Sequence, residues 1–264
     1  MNYLDNQQIT ELIPAAGSLV PMAGVSSRYN FIPTIAAVDL LRDCGWFPVT
    51  ARQSRVNKDE RDGFQRHSIR FVKEGLEWGQ GERVDLVLYN SHDRGTAFKL
   101  AASVWRKICG NGLMVPSEFA NFSHKHIGFN QADFVESANS IAESASMIAG
   151  SVNDMKAIEM TPDERGIYAQ AAHSLIYDEI QSAPIQPDTL LREHRLDDQG
   201  NDLWTTFNVV QENIIKGGIR GSKYDEFGRR RKVTTRPIKS LEKDIKINQA
   251  LWLLTEKMAE LIKK

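Results

Sequence analysis

Val84 to Leu113 reads VDLVLYNSHDRGTAFKLAASVWRKICGNGL, and the fold is decided there. Val84, Leu86 and Leu88 alternate with Asp85, Val87 and Tyr89, the period of two expected of a half-buried strand. Asn90-Ser91-His92-Asp93-Arg94-Gly95 then gathers residues that bond their own backbone or tolerate positive φ, so a turn follows. Alternation resumes through Thr96, Phe98, Leu100, Ala102 and Val104, and the pattern predicts a β-hairpin. The exit, Trp105 to Leu113, sets Arg106 and Lys107 between buried-type residues and closes on Asn111-Gly112, a turn signal.

Upstream, Met1 to Ala23 contains Pro14 and Pro21 and suggests no long regular element. Arg28 to Pro33 reads as a short strand or extended arm. It leads into a helix that Thr34 caps and Gly45 ends in a left-handed turn, with Ile35, Val38 and Leu41 as its apolar face and Leu40 beside them. Trp46 to Val56 follows as a strand with Pro48 at its start or on an edge, and His67 to Lys73 is its hairpin partner across the charged tip Asn57 to Gly63. An order of helix and then four strands, with no helix between strands, implies an antiparallel α+β sheet packed with helices. A Rossmann or barrel architecture does not fit it.

Downstream of Asn121 the chain turns helical. Gln131 to Ala149 forms one Ala- and Ser-rich helix ended by Gly150. Thr161-Pro162-Asp163-Glu164 starts a second that runs to about Gln181. Ser182 to Gly200 reads as a long loop. Asp202 opens a helix through Lys216, stopped by Gly217-Gly218. Gly217 to Arg236 is a flexible loop too polar for core, and Ser240 to Ile262 is an amphipathic helix with Ile247, Leu251, Leu254, Met258 and Leu261 on one stripe. No internal repeat is evident. Residues 1–129 thus make a sheet region and 130–264 a mainly helical region, packed as one continuous domain.

The chain has 264 residues, 41% hydrophobic and 25% charged, which is ordinary globular composition. No apolar run approaches the roughly 18 to 20 residues that cross a bilayer, and the N-terminus lacks a secretory pattern, so a cytoplasmic protein with no membrane partner is expected. Cys44 and Cys109 lack metal-site spacing and read as buried small residues. The net charge of −1 hides an asymmetry: Val49 to Lys73 holds seven Lys/Arg against three acids, Asn130 to Leu203 four against fourteen, and Ile214 to Lys246 eleven against four. Basic blocks of this kind point to polyanions as partners.

Catalytic constellations are missing. His92-Asp93 invites a general-base role and His124-Lys125-His126 a metal pair, but neither has its remaining partners at recognisable spacing, and His92-Asp93 fits a turn held by side-chain to backbone bonds. Gly217, Gly218 and Gly221 neither follow a strand nor precede a helix as a phosphate loop requires, and no Gly-Lys-Ser/Thr is present. No enzyme, metal or cofactor is expected.

Several segments together resemble the phage- and plasmid-like proteins grouped as domain-of-unknown-function family 932. They are Arg28-Tyr29 with Ile32-Pro33-Thr34, Gly45-Trp46-Phe47-Pro48-Val49, His67 to Phe71, Asn90-Ser91-His92-Asp93, Cys109 to Leu113, and Asn208 to Asn213 with Gly217-Gly218. The resemblance implies a protein of mobile elements and brings no activity with it; Arg94 stands where it implies a small residue. In element order alone, the chain also looks like the core of Rad-type single-strand annealing recombinases, which form rings holding DNA in a basic groove.

These readings converge on a nucleic-acid-binding protein, a homo-oligomer, that binds and anneals single-stranded DNA without catalysis. Arg52, Arg55, Arg66, Arg70, Arg106, Lys107, Arg229, Arg230, Arg231, Lys232 and Arg236 are the candidate phosphate contacts, and Tyr29, Trp46 and Phe64 the candidate stacking rings. The acidic middle could pair with a neighbouring subunit's basic blocks. The alternative is a mobile-element protein that inhibits a host defence system by binding protein.

Overall fold

The computed structural model describes residues 2–25, 29–56, 59–79, 81–106, 111–114, 121–124, 130–178 and 182–264, with the backbone alone for 111–114, 121–124 and Leu241. In order the elements are α1 (Asn6–Leu12), α2 (Thr34–Asp43), β1 (Phe47–Gln53), β2 (His67–Val72), β3 (Glu77–Trp78), β4 (Glu82–Asn90), β5 (Phe98–Arg106), β6 (Asn111–Met114) and β7 (Asn121–His124). Then come α3 (Gln131–Glu143), α4 (Ala145–Lys156), α5 (Pro162–Ser174), α6 (Leu203–Lys216), β8 (Arg220–Tyr224), β9 (Arg230–Thr234) and α7 (Leu241–Ile262). The chain divides into two compact units, Met1–Lys107 with Gly112–Ile148, and Ala149–Lys264 with Ile108–Asn111. The fold is α+β with antiparallel sheets and a helical C-terminal part, as the strand order implies.

In the first unit the strands run β1-β2-β4-β5-β6, with β3 beside β4 and β7 beside β5. The predicted hairpin is present, with Leu86 facing Ala102 and Leu88 facing Leu100. Asn111-Gly112, expected as a turn, instead begins β6. Ile69, Phe71, Val84, Leu86, Leu88, Phe98, Leu100 and Val104 share one face and are buried, and α3 closes it by packing Phe134 on Phe98, ring centroids 5.3 Å apart.

β4 is buried along its whole length, not half-buried as its alternation suggests. On the second face Asp85 is fully out of solvent; Arg83 Nε donates to its Oδ1 at 2.6 Å and Arg70 Nη1 faces Oδ2 at 3.2 Å. The guanidinium groups of Arg83 and Arg70 lie 4.5 and 5.3 Å from the centroid of Trp105, which extends the cover. Burial raises the Asp85 carboxyl from 3.8 to about 6, against the pull of both arginines.

α2 begins on Thr34 but Thr34 is not its side-chain cap. Its hydroxyl is spent inside the fold, 2.7 Å from His67 Nε2, with Asn90 Nδ2 donating to it at 3.0 Å and His92 Nε2 3.3 Å away. The Gln65 carbonyl can only accept, so His67 Nδ1, 2.9 Å from it, carries the proton and Nε2 accepts from Thr34. These bonds fasten the start of α2 to the ends of β2 and β4. Gly45 takes φ +80 and ends α2, as predicted, and Cys44 beside it is half-buried.

The second unit is built on α6. Asp202 caps it by accepting from Thr205 N at 2.9 Å, Gly217 closes it at φ +62, and every residue from Leu203 to Ile214 is buried. Trp204, Phe207 and Trp252 meet edge-on at its centre. The capping box at Thr161 and Glu164 is formed, but α5 ends at Ser174 instead of about Gln181. The single helix expected from Gln131 to Ala149 is two, broken at Ser144, whose hydroxyl donates back to Ile141 O at 2.9 Å; Gly150 lies inside α4 and ends nothing. On α7, Leu261, predicted to lie on the apolar stripe, is exposed. Among the described residues no helix is long and apolar enough to cross a membrane.

His67 gives this fold a calculable acid limit. Burial lowers its pKa from 6.5 to about 4, so the folded protein binds fewer protons than the unfolded chain between those values. Its contribution is whole above pH 6.5 and is lost as pH falls through 4, about 3 kcal/mol at roughly 1.4 kcal/mol per pH unit. Asp85, raised from 3.8 to about 6, acts in the opposite sense over an overlapping window and offsets much of that loss, so the His67 share is read from a variant. Urea denaturation between pH 7 and 4 should show stability falling more shallowly in His67→Gln than in the parent protein; parallel curves would mean His67 does not set the acid limb.

Candidate functional site

Gly217 to Arg236, expected as a flexible loop, is an ordered hairpin. β8 and β9 pair from Arg220↔Thr234 to Tyr224↔Arg230, and Asp225 organises the turn. Asp225 Oδ1 accepts from Phe227 N at 3.0 Å and Arg229 N at 2.9 Å, its Oδ2 accepts from Arg231 Nε at 3.0 Å, and Gly228 takes φ +72. The pleat puts Arg220, Ser222 and Tyr224 on one face with Arg230, Lys232 and Thr234.

Charge on this hairpin is unmatched. Residues 220–236 hold seven Lys/Arg and two acids. Arg231 is paired with Asp225, and Arg229 lies over Phe227, 5.3 Å from its centroid. Among the described residues no carboxylate pairs with Arg220, Lys223, Arg230 or Lys232. Tyr224 and Phe227 stand 71% and 70% exposed beside them.

The hairpin is anchored at one side. Ser222 N donates to Pro184 O at 2.8 Å, and a Cβ on Gly221 would meet that oxygen at 1.9 Å, so only glycine permits the approach. A cleft of about 1090 Å³ opens there, between residues 182–189 and the hairpin.

The other predicted contacts are scattered. Arg52 is exposed on β1 and shares the second sheet face with Arg70, which is committed to Asp85. Arg55 is exposed beyond β1, and Arg66 is half-buried, its Nε close to Gly95. Arg106 is buried and faces Glu82 across the helix-covered side, so it is not a surface contact. Arg236 is exposed after β9. Lys107, Cys109 and His126 lie outside the described residues. Of the stacking rings, Trp46 is fully buried core, Phe64 is half-buried, and Tyr29 donates its hydroxyl to Ser91 O at 2.9 Å. Arg220, Lys223, Tyr224 and Phe227 were not among the predicted contacts. The sequence signal for the hairpin is its turn, Asp225 to Gly228.

His92-Asp93 belongs to the scaffold. His92 is buried against Phe31 and His67, and Asp93 Oδ1 accepts from Gly95 N at 2.7 Å in the predicted type of turn. Arg94 holds φ +62 there, which is the physical reason a small residue is expected at that position. Asn208, Gln211 and Asn213 likewise bond Trp204 O, Asn248 Oδ1 and the carbonyls of Leu190 and Arg192. Glu212 takes a bidentate pair from Arg195 with Lys216 beside it; burial pushes its carboxyl up, but these bonds outweigh that and hold it at about 2. Among the described residues no three His, Cys, Asp or Glu side chains are grouped to hold a metal.

The family described as Domain of unknown function (DUF932) matches residues 21–252 of the chain. The chain is similar to two proteins of Escherichia coli (strain K12), UPF0380 protein YfjQ and UPF0380 protein YafZ, each 29% identical over 253 residues that cover 96% of this chain and 90% of the relative. No solved structure matches it.

Gly221→Ala should detach β8 from Pro184, because the added methyl would overlap the carbonyl. Hydrogen exchange at Ser222 N should speed by at least tenfold while amides of α6 keep their protection. Unchanged exchange at Ser222 would mean that the contact does not hold the hairpin.

Proposed function

Since the chain belongs to the DUF932 family, whose description names no activity, its own surfaces have to supply a function, and we propose that it binds single-stranded nucleic acid through the β8–β9 hairpin. The observation that carries this is the set of cations without carboxylate partners, Arg220, Lys223, Arg230 and Lys232, beside the exposed rings of Tyr224 and Phe227. Several arginines elsewhere are matched: Arg83 and Arg70 have Asp85, and Arg195 has Glu212 and Asp198. Unmatched cations on a rigid strand pair suit phosphates, and aromatic rings among them suit unpaired bases.

The reading is of binding and annealing without bond-making chemistry, on single-stranded DNA, by a self-associating cytoplasmic protein of a mobile element. Self-association follows from the acidic stretch Asn130 to Leu203 facing basic blocks on other copies. The likeness in element order to Rad-type annealing proteins points the same way.

Replacing Arg220, Arg230 and Lys232 together by Ala should lower affinity for a labelled oligonucleotide. The slope of log affinity against log salt should flatten by about 2, at roughly 0.7 per phosphate contact. Stability should change by no more than about 0.5 kcal/mol, because these side chains sit on the surface without partners. A parental slope in the triple variant would take the hairpin out of the nucleic-acid path. Absence of oligonucleotide affinity in the parent protein would overturn the proposal and favour a protein target such as a host defence component.

A further inference from the structure

We infer that the cleft between the hairpin and residues 182–189 takes an unpaired nucleobase, stacked on Tyr224, and so selects single strands over duplex; this rests on the hairpin being a nucleic-acid surface. The cleft, about 1090 Å³, reaches the upper end of the roughly 300–1,000 Å³ of ordinary ligand pockets. It has room for a nucleotide and its neighbour's phosphate. Its two sides differ in chemistry. The hairpin side offers Tyr224, Arg230 and Lys232, and the facing segment offers the Gln186 amide, which can both donate to and accept from a base edge, and the Thr189 hydroxyl, which donates to the Gln186 carbonyl and can still accept.

Tyr224 and Arg230 are directly opposed across the hairpin on one face, which sets a ring for the base beside a cation for its phosphate. The ring's 71% exposure leaves it short of the cover an aromatic surface ordinarily finds. A duplex buries its base faces in its own stack and can offer Tyr224 only backbone. The width of the cleft is held by the Ser222 to Pro184 bond, not by the cations, so base capture and phosphate attraction are separable.

The full-length chain and its Tyr224→Ala and Tyr224→Phe variants would be titrated, by fluorescence anisotropy at fixed salt, with three labelled probes of equal phosphate number: oligo-dT, an abasic oligodeoxynucleotide and a duplex. Tyr224→Ala should weaken oligo-dT binding about tenfold, the size expected for one base-ring stack, with the salt slope and the affinities for the other two probes unchanged. Tyr224→Phe should keep parental affinity. Equal loss on the abasic probe, or no loss on oligo-dT, overturns base capture while leaving the hairpin reading intact. If the parent chain binds none of the probes, the hairpin reading itself fails. Thermal melting of each variant should match the parent, since the side chain lies on the surface.

Discussion

Asp85 is the constraint on which the first unit depends. Its strand is buried on both faces, and a carboxylate taken wholly out of water is tolerated only with opposite charge and hydrogen bonds around it. Arg83 comes from the same strand, Arg70 from β2 and the ring beside both guanidinium groups from β5. The interaction therefore fixes three strands in register. A slip of one residue would carry the charges to the helix-covered face and Leu86 and Leu88 away from it. The apolar face supplies the free energy of folding, and the charged face specifies which pairing is allowed.

The second unit meets the same requirement on a helix. α6 is enclosed from Leu203 to Ile214, yet half of its sequence is polar, and most of its amides and its carboxyl are held by partners, although Asn208 Oδ1 and Thr206 Oγ1 find none. Asn213 holds the backbone at Leu190 and Arg192, and Gln211 reaches Asn248 on α7. Arg195 closes on Glu212 and Asp198 together. Buried polar side chains of this kind tie irregular segments to a regular one, which apolar packing alone does not do.

Much of the fold was legible because it is written in local rules. Alternation located β4 and β5, Thr161 to Glu164 located the start of α5, and Gly45 and Gly217 marked helix ends through positive φ. What failed depended on distant partners. Thr34 has the chemistry of a cap, but His67 and Asn90 claim its hydroxyl. The second face of β4 looks half-polar in sequence, and only the arginine from β2 and Trp105 from β5 make it buried. Polar composition made residues 217–236 resemble a loop, although Arg220 to Tyr224 and Arg230 to Thr234 pair across a turn that Asp225 closes.

The candidate site was half legible for a related reason. Counting charges finds basic blocks but cannot tell a cation with a buried partner from one without. Arg70, Arg106 and Arg230 look alike in the sequence. One is tied to Asp85, one is enclosed opposite Glu82, and one stands on the hairpin with Tyr224. Pairing decides what each can do, since a matched arginine can reach a phosphate only by first leaving its carboxylate. By that criterion the hairpin carries cations, Arg220, Lys223, Arg230 and Lys232, that no carboxylate among the described residues pairs. Its glycine at 221 gives up a side chain so that the strand can sit against Pro184. That conformational cost orders a basic, aromatic strand pair whose exposed cations are separated from the acids of the fold, and the proposal of an anionic partner rests on this separation.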